Sequence, residues 1–119
     1  ASAEIEIGKI LETKIDVEKK FKNDELVTRY RGEAASHYQK FLMSADRMNA
    51  EVLPYLETAY RQAVKLMLEM KVYADGSAVY ADVKSDCEEY LSLFPNGRYL
   101  TDIKACLTEA EISLATTKK

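Results

Sequence analysis

Two thiols, one imidazole and a row of carboxylates are the residues of this chain with chemistry to offer. The thiols are Cys87 and Cys106. Cys87 lies eight residues before Pro95 and Cys106 nine after Gly97, so a helical hairpin turning at Pro95-Asn96-Gly97 sets them at nearly equal height. A disulfide between them is allowed if the two Cβ atoms face each other, and it would suit an oxidising compartment. The simpler reading, and the favoured one, is two buried thiols acting as small hydrophobes. Neither has the setting of a catalytic thiolate, which needs a nearby His, a CxxC partner or a clear helix N-terminus.

His37 is the single histidine, with Glu33 four residues before it on the same helix face. A di-iron bundle requires Glu-x-x-His twice plus two further carboxylates. One His does not meet that, and the usual Cys/His zinc spacing is missing as well. The expectation is a surface or boundary histidine. Asp82, Asp86, Glu88 and Glu89 read as a solvated helix face rather than a general acid–base pair. The sequence carries no Gly-rich phosphate loop and no nucleophile elbow. A non-enzymatic protein without metal or cofactor is the expectation.

The elements that position these residues follow from composition and rhythm. A chain of 119 residues with 47% apolar content is long enough for one buried core. Four Gly and two Pro supply few turns, which favours a few long helices over an all-β fold. The 17 basic and 20 acidic residues are mixed along the chain, with no basic block for nucleic acid. No apolar run reaches membrane-spanning length, and no signal peptide is visible.

A first helix is expected over 4–22, with Ile7, Ile10, Leu11, Val17 and Phe21 near one face. Lys14 interrupts that stripe and Ile15 lies beside it. Asn23-Asp24 offers an N-cap. A second helix over about 25–48 carries Val27, Tyr30, Ala34, Tyr38, Phe41, Ala45 and Met48 at steps of three and four. Gly32 inside it suggests a close approach by another helix. Pro54 suits the first turn of a third helix running to about Tyr73, with Leu56, Tyr60, Ala63, Val64, Met67 and Met70 inward. Asp75-Gly76-Ser77 is a turn signal. A fourth helix carries Val79, Tyr80, Val83, Cys87, Tyr90, Leu91 and Phe94. A fifth carries Tyr99, Ile103, Cys106, Leu107, Ala110 and Leu114. The fold class expected is all-α: one domain over 1–119, whole or part of a longer chain, with helical hairpins over 25–119 stacked side by side.

Tyr80, Val83, Cys87, Tyr90, Leu91, Pro95 and Asn96 stand at the spacing of the second helix of a tetratricopeptide repeat, and that segment resembles one. The stretch "FPNGRYLTDIKACLTEA" is similar to bacterial cell-envelope repeats reading "YPNSPYAxxAxxxLGxA". Such repeats occur in the outer-membrane barrel-assembly lipoprotein and the Tol–Pal-associated coordinator. The likeness covers the C-terminal half. The consensus Trp is absent, and Lys71 and Thr108 stand where Gly is usual. It implies a short array of four or five helices that stack because no single hairpin can bury its apolar face.

The function implied is protein–protein interaction: an adaptor whose concave helical face holds a peptide or another subunit, in the periplasm or at the outer membrane, otherwise in the cytoplasm. Tyr55, Tyr73 and Tyr99, near helix ends, are the candidates to line a partner groove. Two other classes stand beside this one. The first is a helical bundle that self-associates through its first helix, giving a homo-oligomer. The second is a small helical ligand carrier or enzyme with a deep polar-lined pocket.

Overall fold

The structure is a computed structural model and describes residues 3–117. It is all-helical, with five helices packed against each other in adjacent pairs. They are α1 (Ala3–Lys20), α2 (Asp24–Ser44), α3 (Leu53–Met70), α4 (Tyr80–Leu93) and α5 (Leu100–Thr117). Side-chain bonds fix their directions. Tyr38 meets Glu12 while Lys14 meets Tyr30, so α1 and α2 are antiparallel. Glu12 reaches Gln62 and Lys19 reaches Glu69, so α1 and α3 run parallel. Gln39 to Asp86, and Arg47 just past the end of α2 to Glu89, set α2 parallel to α4. Arg61 of α3 meets Asp102 of α5, so the odd helices lie side by side in one layer and the even helices in the other.

The core runs through both layers, from Ile5, Leu11 and Ile15 to Ile103 and Ala110, with Tyr38, Tyr60 and Tyr90 fully buried along it. The inward residues of α2 and α3 largely follow the expected stripes. Those of α1 follow theirs at Leu11 alone: Ile5, Gly8, Leu11 and Ile15 face inward. Ile7, Ile10, Val17 and Phe21 are 40%, 56%, 45% and 76% exposed. The reason is Gly8. A Cβ there would lie 2.6 Å from the Tyr38 ring, so α1 meets α2 along its least bulky line. The close-approach glycine is therefore Gly8 and not Gly32, which has open space around it.

Helix α2 stops at Ser44, short of the expected Met48, because two short side chains capture the backbone. Asp46 Oδ1 accepts from Met48 N at 2.9 Å and Asn49 Oδ1 from Glu51 N at 3.0 Å. Met48 is left 92% exposed. Asn23 stands at the N-cap of α2 without a side-chain cap bond. Helix α3 ends at Met70 because Lys71 turns to φ 68°. Residues 71–79 then form a small hairpin: Val72 bridges Ala78, and Gly76 takes the tip at φ 88°. Asp75 Oδ1 accepts from both Ser77 N and Ser77 Oγ there.

The break at Phe94-Pro95-Asn96-Gly97 has a definite anchor. Tyr90 donates its hydroxyl to Glu57 Oε2 at 2.7 Å and accepts Tyr99 N at 2.9 Å. The same Glu57 oxygen accepts Arg98 N, and Arg98 Nε stands 3.5 Å from Oε1. Backbone N–H groups ahead of α5 are thus met by a buried carboxylate and a phenol, in the way helix starts require. Gly97 must be glycine, since an added Cβ would strike the Tyr90 hydroxyl and lie 2.7 Å from Glu57 Oε2.

Candidate functional site

Concave surface is where a helical array offers most contact to a partner. A groove of about 910 Å³ lies between the outer side of α2 and the segment from the end of α3 into the 71–79 hairpin. Helix α2 contributes Arg29, Gly32, Ser36 and Lys40; the other wall is Met70, Val72, Tyr73 and Ala74. Two smaller hollows, about 520 and 360 Å³, lie at the Pro95 turn and beside Phe41.

Local sequence explains the shape. Gly32 presents bare helix backbone, so the α2 wall dips there. The left-handed turn at Lys71 swings the chain away from α3 and stands Val72, 50% exposed, on the far wall. Charges rim the groove in matched pairs. Arg29 Nε donates to Glu33 Oε1 at 3.2 Å, and Arg31 lies 3.9 Å from Glu69. His37 pairs with Glu4 of α1. The Arg31 Nε is buried with no hydrogen-bond partner among the described residues. Burial, and then the bond to Asp82, hold the Tyr73 phenol protonated far above its ordinary range. Two bonds from Ser77 hold the Asp75 carboxyl below its ordinary range. An apolar floor with a rim of both signs suits adhesion of a chain segment.

The three tyrosines expected to share a groove are separated. Tyr73 lines this one. Tyr55 sits 42% exposed on the first turn of α3, at the opposite end of that helix. Tyr99 belongs to that same end, half-buried with the Arg61 and Arg98 guanidinium groups each 5.3 Å from its ring centroid. Met70, Val72 and Arg29 were not singled out by their types. Gly32 was, for another purpose, as were Glu33 and His37, which line the same wall.

Cys87 is buried and Cys106 half-buried, and both are free thiols. Burial pushes Cys87 up to about 12, with Cys106 as the next cause, and burial raises Cys106 too. That keeps both in the unreactive thiol form.

Asp82, Glu88 and Glu89 of α4 are exposed, as a solvated face would be, and Asp86 is half-buried; three of the four also accept hydrogen bonds from neighbouring elements. Asp82 accepts from the Tyr73 hydroxyl at 2.5 Å, Asp86 from Gln39, and Glu89 from Tyr60 at 2.7 Å. These residues fall on one line of α4 and tie it to α2, α3 and the 71–79 hairpin. Among the described residues no group of three His, Cys, Asp or Glu side chains is placed to hold a metal ion. Among the same residues no helix is long and apolar enough to cross a membrane.

No protein-family model matches the chain, and no curated protein and no solved structure matches it either.

Proposed function

We propose that this protein is a non-enzymatic interaction module that holds an extended segment of a partner protein in the groove between α2 and the 71–79 hairpin. The observation that carries the reading is the groove itself: about 910 Å³, floored by Met70, Val72, Tyr73 and the bare backbone of Gly32. A partner main chain can approach closely where a helix lacks a Cβ. The likeness of the 80–110 region to tetratricopeptide repeats supports it, as does the two-layer order of the helices. The same likeness, to cell-envelope repeats, is the ground for proposing a periplasmic or outer-membrane-associated setting.

The test is selection from a random peptide library displayed on phage, using the wild-type chain and a Gly32→Trp variant as baits. Gly32 faces open space, so the indole fills the groove without disturbing the core. The expected result is a consensus peptide that binds the wild type and loses at least about tenfold against the variant, the loss of roughly one anchoring contact. A consensus that binds both baits equally would remove the groove from the reading.

A further inference from the structure

Helix α1 has two apolar faces, and the fold uses one. The inner face packs on α2. The outer face carries Ala3, Ile7, Ile10, Lys14 and Val17, with Phe21 in the turn just past the helix end, separated by steps of four and three residues. That is the spacing of a heptad seam, with positions 7, 14 and 21 as one class and 3, 10 and 17 as the other. Its four large apolar side chains are 40–76% exposed. The charge in the middle of the seam is drawn aside, since Lys14 Nζ lies 5.7 Å from the centroid of the Tyr30 ring on α2. The end helix of a stacked array ordinarily shows a polar outer face, and a contiguous apolar one marks an interaction site.

We propose that a second copy of this chain covers the seam, its α1 packed antiparallel to the first. Charge and size select that occupant and that direction. In an antiparallel pair the two seam classes face each other, so Ile7 meets Val17 of the second copy and Ile10 meets the Lys14 stem. Phe21, the largest, then meets Ala3, the smallest. On the outer flank Glu6 comes opposite Lys20 of the second copy, and the symmetry makes this pair twice. Among the described residues Glu6 pairs with Lys9 at 3.9 Å, with both side chains more than half exposed. A parallel pair would instead stack Lys14 on Lys14 and leave Glu6 without an opposite charge. The inner flank is already taken, with Leu11 buried against α2 and Glu4 paired to His37.

The seam is small. One helix face per chain lies at the lower end of specific interfaces, about 1,200 Å² in total, so dissociation is expected in the micromolar range, about 1–100 µM.

Sedimentation equilibrium of the whole chain tests this across concentrations bracketing that range. The expected result is a mass that doubles with concentration. Ile10→Glu alters an exposed residue, so it should keep the helical circular dichroism and lose the dimer. Glu6→Lys should weaken the dimer about tenfold, and adding Lys20→Glu in the same chain should restore it. Gly32→Trp should leave the dimer unchanged, which separates this surface from the groove. A chain that stays monomeric at the highest concentration would overturn the proposal. So would a dimer indifferent to Ile10→Glu. If Glu6→Lys and the charge-swapped chain dimerise alike, the antiparallel register is wrong. A monomer that floats with phosphatidylcholine vesicles would assign the seam to a lipid surface instead.

Discussion

Tyr90 and Glu57, thirty-three residues apart, meet through a buried 2.7 Å hydrogen bond, and Gly97 passes directly over it. The three form one packing unit. Tyr90→Phe removes a donor to Glu57 and an acceptor for Tyr99 N, and should cost about 1–3 kcal/mol. Gly97→Ala alone should cost about 2 kcal/mol through overpacking. In the Tyr90→Phe background the closest clash is gone and those with Glu57 and Phe94 remain, so the second cost should shrink without vanishing. Urea denaturation of the two single variants and the double variant measures it. Strict additivity would show that Gly97 and Tyr90 act separately.

Two helix-interior glycines should respond in opposite directions. Gly8→Ala puts a methyl against the Tyr38 ring, and should destabilise by about 1–3 kcal/mol. Gly32→Ala meets nothing and should stabilise by about 0.5–1 kcal/mol through helix propensity. Thermal melts of the pair decide it, and a shared sign would refute the assignment of which glycine is packed.

Asp86 makes stability depend on pH. Burial pushes its carboxyl up from 3.8 to about 6, against the bond from Gln39, with Glu89 and Asp82 adding and Arg47 opposing. The folded chain therefore holds a proton that the unfolded chain has released. Stability from this group is full below the unfolded value and is lost as pH rises through the folded one. The free energy of unfolding should accordingly increase from pH 7 to pH 5. Asp86→Asn should flatten that slope and stabilise the protein at pH 7 by about 1–2 kcal/mol. A variant less stable than the wild type at pH 7 would mean that the charged form is the one the fold prefers.

Lys22 and Lys71 both hold a left-handed backbone, at φ 57° and 68°. Side chains with a Cβ are strained there and glycine is not. Lys22→Gly and Lys71→Gly should each gain about 0.5–1 kcal/mol, the relief of strain exceeding the added freedom of the unfolded chain. Chemical denaturation at neutral pH is sufficient, and a loss at either site would locate a contact of the lysine side chain that outweighs the strain.

The helices were legible in the sequence because three-and-four spacing is loud when one face is buried. It named Leu56, Tyr60, Ala63, Val64 and Met67 on α3, all inward in the fold. It misread α1 because that helix has two apolar faces, and spacing cannot say which one meets the protein's own core. The end of α2 was placed late because Ala45 and Met48 extend the rhythm, while the side chains of Asp46 and Asn49 end the helix. Leu91 looked as deep as Tyr90 but is only half-buried, so truncating it should cost less than truncating Tyr90. The groove was the least legible feature. Its walls come from a missing Cβ on one side and a backbone turn on the other, and neither is a residue type that advertises binding.

Four tyrosines donate their hydroxyls to carboxylates of another segment: Tyr38 to Glu12, Tyr60 to Glu89, Tyr73 to Asp82 and Tyr90 to Glu57. A phenol so bonded loses much of its light emission, because the excited ring passes its proton toward the acceptor. The chain has eight tyrosines and no tryptophan to mask them. Ultraviolet emission of the protein is therefore expected to rise as these four bonds open, which a fluorescence-monitored urea titration checks. Its own aromatic rings report, without any label, when the layers of helices come apart.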